Sequence, residues 1–167
     1  MSLDAVGRIK LPDLIPETDM AHQLELDMAA PRRLVAYIDG GSRGNPGPAG
    51  FGVRLVEEDG AVVEELHGAL GRTTNNVAEY NGLLAALRWA VDRGRTVVHV
   101  RSDSELLVCQ MRGEYRVKNP GLQPLYRQAC ALVARIGHVT FEHVPRSLNT
   151  EADRLANLAM DEAAGLA

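Results

Sequence analysis

The alternation of apolar and polar positions predicts three successive strands near the middle of the chain. Residues 34–38 form a continuous apolar run, which is typical of a central strand covered on both faces. The run ends at Asp39, and the Gly- and Pro-rich residues 40–48 predict a loop without regular structure. Residues 50–56 and 61–69 predict two further strands. Asp59 and Gly60 between them favour a tight antiparallel hairpin.

From residue 75 the apolar period changes to that of a helix. Val77, Tyr80, Leu84, Leu87 and Val91 recur at three- and four-residue steps and build one apolar face, which Gly94 ends. The remaining patterns predict a strand over residues 96–100, helices over 103–111 and 122–135, a strand over 139–144 and a helix over 149–162.

The order of these elements indicates the fold class. Three consecutive strands predict an antiparallel meander, and the strand–helix–strand passages that follow predict parallel crossovers. The expected architecture is therefore α/β, with a mixed five-stranded sheet flanked by helices. We predict an N-terminal extension over residues 1–32, flexible or loosely packed because prolines interrupt it, a folded domain over 33–163 and a short tail over 164–167.

Composition and charge narrow the picture only slightly. The net charge is −4, but residues 1–30 carry six acids against two bases, and residues 31–167 are balanced. This balance permits a nucleic-acid partner without indicating one. No apolar run approaches the roughly 18 residues that span a bilayer, and no secretory signal is evident. Cys109 and Cys130 fall in predicted helices, where we expect buried free thiols in the reducing cytoplasm.

Four carboxylates stand at positions where a ligand site can form. Asp39 and Asp103 follow predicted strands, whose carboxyl ends border crevices in open sheets. Glu79 and Asp153 fall in predicted first turns of helices, where each alone is ordinary because it complements the helix dipole. Together, with no His or Cys partner, they favour a hard oxygen site for Mg²⁺ or Mn²⁺. The pattern alone leaves open whether the four meet.

Four motifs in order resemble the type 1 ribonuclease H family. They are Asp39-Gly-Gly-Ser-Arg-Gly-Asn-Pro-Gly-Pro-Ala-Gly, Thr73-Thr-Asn-Asn-Val-Ala-Glu-Tyr, Ser102-Asp-Ser and Asn149-Thr-Glu-Ala-Asp. The resemblance covers about residues 33–163 and is nearest to short, archaeal-type members without a basic protrusion. It implies the RNase H-like fold and hydrolysis of the RNA strand of RNA–DNA hybrids, leaving 5′-phosphate and 3′-hydroxyl ends.

The resemblance also assigns roles to individual residues. Asp39, Glu79, Asp103 and Asp153 would be catalytic ligands of two divalent ions, Mg²⁺ or Mn²⁺. The expected substrate-binding residues are Gly40, Gly41, Asn45, Thr74, Asn75, Asn76 and Glu105. Among them, the asparagines would read the minor groove, where the RNA strand displays its 2′-hydroxyls, and Thr74 would hold a phosphate of the DNA strand. The alternative for the asparagines is turn and cap chemistry.

The chain departs from the family pattern at three places. The loop before the last helix lacks the histidine that many members carry, so Arg146 is the predicted catalytic substitute; His143 is the other candidate, although its alternating strand position favours a structural role. Glu105 stands where many relatives have glutamine. Without the protrusion, Arg112, Arg116 and Lys118 remain to meet phosphates, which predicts modest, salt-sensitive affinity.

Two other functions remain open at this stage. One is a different nuclease of the same fold, acting on structured or double-stranded nucleic acid. The other is a non-catalytic nucleic-acid-binding module, which the four retained carboxylates disfavour because acidic groups facing phosphates gain nothing without a metal. We expect a monomer that binds an RNA–DNA hybrid, with no membrane association and no obligate protein partner.

Overall fold

The computed structural model describes residues 32–166 and, before them, only Ala21 and the antiparallel strand pair Leu3–Asp4 and Gly7–Arg8. The chain divides into two compact units, Met1–Pro31 and Arg32–Ala167. The predicted character of the extension over residues 1–32 therefore falls almost wholly outside the described residues.

The second unit is a mixed sheet with helices on both faces, as predicted. Its strands are β1 (Leu34–Ser42), β2 (Gly47–Glu57), β3 (Val62–Thr73), β4 (Val97–Ser102) and β5 (His138–His143). Its helices are α1 (Asn75–Asp92), α2 (Glu105–Met111), α3 (Gln123–Ile136) and α4 (Thr150–Ala163), with a 3₁₀ turn over Arg146–Leu148. The strand order is β3-β2-β1-β4-β5, antiparallel among β1–β3 and parallel from β1 through β4 to β5.

The predicted loop over residues 40–48 is wrong in its extent. Strand β1 continues through Ser42 and β2 already begins at Gly47, so only residues 43–46 connect them. Glycines suggest a break when sequence is read alone, but these glycines serve close packing. A Cβ atom on Gly40 would overlap the backbone of α1, and one on Gly52 would overlap α4. The glycines thus let a helix approach each face of the strands that carry the site.

The core lies mainly between the sheet and helices α1 to α3. Leu34, Ile38, Val98, Leu83 and Leu87 are almost fully buried in it. Helix α4 packs against β1, β2 and β3 through a face of buried small side chains, among them Ala152, Ala156 and Ala159. Strand β1 thus lies between helices packed on both of its faces, whereas β4 alternates buried and half-buried residues.

The two cysteines correct one expectation about burial. Both lie in helices and are unpaired, as predicted, but Cys130 is exposed and Cys109 only partly buried. Cys130 lies on the outer side of α3, whose buried residues are Ala129 and Ile136. Within the part of the chain that the structure describes, every helix is too short or too polar to cross a membrane.

Candidate active site

The parallel pairing of β1 with β4 brings two aspartates together. The last residue pair in register is Ile38 with Ser102, so Asp39 and Asp103 follow at the same end of the sheet. Asp39 is within β1 rather than after it, because β1 continues in its pairing with β2, where Asp39 faces Gly52. Asp39 is 6% exposed. The two aspartates therefore lie at the carboxyl-end side of neighbouring strands, where the sequence predicted a crevice, but the prediction that β1 ends at Asp39 was wrong.

Glu79 completes a group of three with these aspartates. Carboxylate oxygens of Asp39, Glu79 and Asp103 lie within 4.8 Å of one another, which makes them the one potential metal-binding triad among the described residues. Glu79 is the fifth residue of α1, so its predicted place in the first turn was wrong. Its position cannot be explained by the helix dipole, whose effect is confined to the first turn.

Asp153 reaches the same cluster from the first turn of α4. Its side chain is in hydrogen-bonding contact with that of Asp39. Arg146 stands beside the cluster, with its Nε 3.4 Å from Asp103 Oδ2 and its Nη1 3.8 Å from Asp153 Oδ1. The Arg146 side chain is 76% exposed, so it is free to turn toward a ligand. His143, the other candidate for this role, ends β5 opposite Ser102 and is not among the residues that line the cleft.

Burial and mutual repulsion disturb the ionisation of the cluster. Burial raises the pKa of Asp39 far above its ordinary value, and the nearby Asp103 charge and the contact with Asp153 raise this pKa further. Burial also raises the pKa of Glu79, to about 7, while a hydrogen bond from the Ser104 side chain opposes the rise. Four acidic groups with a single adjacent arginine are therefore short of positive charge.

The donor set fits divalent cations of the hard class. Carboxylate oxygens are the ligands that Mg²⁺ and Mn²⁺ prefer, and no histidine or cysteine lines this cleft. Bound cations would supply the charge that the cluster lacks and would favour the ionised form of Asp39 and Glu79. The arrangement can accordingly hold divalent metal against a phosphate group.

The cleft around the carboxylates contains most of the predicted substrate contacts. It has a volume of about 520 Å³. Of the seven predicted contacts, those that line it are Gly40, Gly41, Asn75, Asn76 and Glu105. The two that do not line it have structural partners. Asn45 accepts a hydrogen bond from the Asn75 backbone at 3.0 Å, and the Thr74 hydroxyl accepts one from the Val77 backbone at 3.3 Å.

Five further residues that line the cleft were not predicted from the sequence, namely Ser42, Ser104, Leu106, Asn157 and Met160. Ser104 lines the cleft, caps α2 by accepting from Leu107 N and contacts Glu79. A serine just before an apolar helical run is a recognisable cap signal. Asn157 and Met160 line the cleft from later turns of α4, and only the fold brings them there.

Comparisons with known proteins agree with this geometry. Residues 37–159 match a family model described as reverse transcriptase-like. The bifunctional protein Rv2228c of Mycobacterium tuberculosis is 53% identical over 133 residues, which cover 79% of this chain and 36% of that protein. Ribonuclease HI of Halobacterium salinarum is 44% identical over 131 residues, which cover 78% of this chain and 66% of that protein. The chain thus spans about a third of the length of Rv2228c and about two thirds of the length of the Halobacterium protein.

Solved structures extend the likeness to the backbone. The N-terminal RNase H domain of Rv2228c superposes with a TM-score of 0.78 at 52% identity, covering 80% of this chain and 97% of that chain. LC11-RNase H1, solved in complex with an RNA/DNA hybrid, gives a TM-score of 0.74 at 43% identity, covering 78% and 99%. With the sheet order, the carboxylate cluster and these matches in agreement, the chain belongs to the type 1 ribonuclease H family.

Proposed function

We propose that this protein is an endoribonuclease that hydrolyses the RNA strand of RNA–DNA hybrids and leaves 5′-phosphate and 3′-hydroxyl ends. The observation that carries the proposal is a carboxylate cluster at one open cleft, in which Asp103 lies close to Asp39 and Glu79, and Asp153 contacts Asp39. The hybrid bound in the LC11-RNase H1 structure supports the choice of substrate.

The four carboxylates would hold Mg²⁺ or Mn²⁺, with two ions in each site. When bound there, the ions would supply Lewis-acid chemistry that activates a water and stabilises the charge on the leaving oxygen. The protein's own part is to fix the ligands. Asp39 stands on a central strand, Asp103 directly follows another, and Glu79 and Asp153 stand on packed helices, so little rearrangement is needed when substrate binds. Exposed Arg146 would donate hydrogen bonds to a phosphate oxygen as the catalytic residue that replaces the missing histidine.

The minor groove of the hybrid would face the asparagine side of the cleft. Asn75 Oδ1 accepts from Ser42 N at 2.8 Å, which orients the amide so that its NH₂ group can donate to a 2′-hydroxyl or a base edge. Asn76, Gly40, Gly41 and Glu105 would line the path of the RNA strand beside it. Asn45 would act from the neighbouring loop, through its bond to Asn75.

The DNA strand would pass over the start of α1. Thr74 accepts a hydrogen bond from Val77 N, so its hydroxyl hydrogen can still donate to a phosphate of that strand. We further propose that the protein acts as a monomer in the cytoplasm, where its two free cysteines would stay reduced.

Cleavage of strand-labelled duplexes tests the proposal. Wild-type protein is incubated with Mg²⁺ or Mn²⁺ and with matched RNA–DNA, RNA–RNA and DNA–DNA duplexes. The expected result is cutting of the RNA strand of the hybrid alone. Equal cutting of all three duplexes would indicate a different nuclease of this fold, and binding without cutting by folded protein would indicate a nucleic-acid-binding module.

A further inference from the structure

Asn149 occupies an unusual position between the last helix and the central strand. It is 1% exposed, and its Nδ2 donates a 2.8 Å hydrogen bond to the carbonyl of Ile38, the residue before Asp39. Its backbone carbonyl accepts from Asp153 N at 3.0 Å, and its backbone N–H donates to Arg146 O at 2.9 Å. Asn149 is therefore hydrogen-bonded to the backbone of Asp153 and Arg146 and to that of the residue before Asp39.

The side chain does not do what its position in the helix would suggest. Asn149 is the N-cap of α4, where an asparagine side chain usually accepts a hydrogen bond from a backbone N–H of the first turn. Here the side chain makes no cap hydrogen bond. It is used for the contact with β1 instead, although this leaves α4 without a side-chain cap.

The contact also has an energetic cost. Asn149 Oδ1 is buried and finds no hydrogen-bond partner among the described residues. A buried acceptor without a partner is unfavourable, and such groups in native proteins call for an explanation beyond stability. A serine at the same position would remove this atom and could cap the helix. The amide therefore contributes something that a stable helix start does not require.

We propose that Asn149 is a positioning residue of the carboxylate cluster, which ties Asp153 and Arg146 to the strand position of Asp39. The Ile38 carbonyl fixes the amide, and the backbone bonds of Asn149 transmit that position to the start of α4 and to the 3₁₀ turn. Because metal affinity depends on the spacing of the ligands, loss of the amide should weaken metal binding and slow cleavage without changing the surface that meets the substrate. This inference rests on the proposed function of the same cleft.

Asn149→Ser separates positioning from helix capping, because serine can cap α4 but cannot reach Ile38. In the full chain, we expect kcat on a hybrid to fall about 10- to 100-fold, with KM changed less than about twofold. Affinity for Mn²⁺ alone, measured by calorimetry without substrate, should fall about tenfold. The melting temperature should stay within a few degrees of the wild type. Asn149→Ala should show the same kcat and a lower melting temperature.

Two controls make the result decisive. Leu87→Ala, a core change away from the cleft, shows how much activity a comparable loss of stability removes. In an Asp153→Asn background, Asn149→Ser should cost less than about threefold, because residues that act together are not additive.

Three results would overturn the inference. The first is an Asn149→Ser protein that keeps wild-type kcat and Mn²⁺ affinity. The second is a fall in its kcat and Mn²⁺ affinity no larger than that of a Leu87→Ala protein of the same melting temperature. The third is a fall in kcat that is as large in the Asp153→Asn background as in the wild type. Should the wild type leave hybrids uncut, the proposed function fails, and the calorimetry alone still decides the inference.

Discussion

Strands β1 and β4 contribute to two polar clusters that differ in how their acidic groups are paired. The first is the carboxylate cluster of Asp39, Glu79, Asp103 and Asp153. The second, here termed the paired network, comprises Tyr37, His99, Arg101, Thr140 and Glu142. Tyr37 and Asp39 are two residues apart on β1 and so point to the same face of the sheet. The two clusters are thus near neighbours on one scaffold.

The polar groups of the paired network form hydrogen bonds with one another. Glu142 Oε1 accepts from Arg101 Nε at 2.9 Å and lies 2.7 Å from His99 Nε2, and Arg101 also donates to the Tyr37 hydroxyl at 2.7 Å. The hydrogen bonds from His99 and Arg101 lower the pKa of Glu142, whereas burial raises those of Asp39 and Glu79. Cationic and hydrogen-bonding side chains of the protein itself thus stabilise the charge of Glu142. Asp39 and Glu79 have few such partners, which is typical of carboxylates in a ligand-binding site.

The largest expected difference between the two clusters is in catalysis. Asp103→Asn removes a ligand charge and should lower kcat on a hybrid by at least about 10³-fold. Glu142→Gln, a matched loss of one carboxylate from the paired network, should leave kcat within about twofold. Steady-state cleavage of one labelled hybrid by both variants measures this. Comparable losses in the two would show that the clusters do not differ in function.

The next largest effect is a difference in salt dependence between hybrid binding at the cleft and the stability to which the paired network contributes. Raising salt from 50 to 200 mM should raise KM for the hybrid at least about tenfold, because phosphate contacts release counterions. The melting temperature should change little, since the partly exposed ion pairs of the paired network contribute little stability even at low salt. Cleavage and melting curves on one protein sample give both quantities. A KM independent of salt would show that phosphate contacts contribute little to hybrid binding.

The pH dependence of stability should have opposite signs in the two clusters. The raised pKa of Glu79 means that folding favours its protonated form, so its stabilising contribution is present below pH 4.5 and is lost as pH rises through about 7. Compared with Glu79→Gln, metal-free wild type should therefore lose on the order of 2–3 kcal/mol between pH 5 and 8. Denaturant unfolding of both proteins measures this difference, and a constant difference across the range would contradict the assignment.

The smallest effect concerns the paired network itself. Its Glu142 has a lowered pKa, so its contribution is present at neutral pH and is lost as pH falls below its ordinary range. Because the Glu142 side chain is 44% exposed, solvent screens the pair, and Glu142→Gln should cost less than about 1 kcal/mol at pH 7. Urea unfolding at pH 7 and pH 4 checks this, and an equal cost at both values would exclude ionic pairing.

Much of this comparison was accessible in the sequence. The apolar periods predicted the element order and the mixed sheet, because buried faces leave a period of two or of about 3.6 residues. Motif order then indicated the four carboxylates. The predicted end of β1 was too early, because Gly40 in the sequence alone suggests a turn. In the structure, the missing Cβ of Gly40 lets α1 pack closely against the strand. Asn149 and the paired network depend on contacts between distant segments, which no local pattern records.

A single titration shows whether the carboxylate cluster is a divalent-metal site for RNA cleavage. Mn²⁺ is added to metal-free protein, and binding heat and hybrid cleavage are followed on the same sample, beside Asp103→Asn. We expect two ions per chain, cleavage that rises with their occupancy, and loss of both signals in the variant. Cleavage that persists in excess chelator, or Mn²⁺ binding that is unchanged in Asp103→Asn, would contradict this expectation.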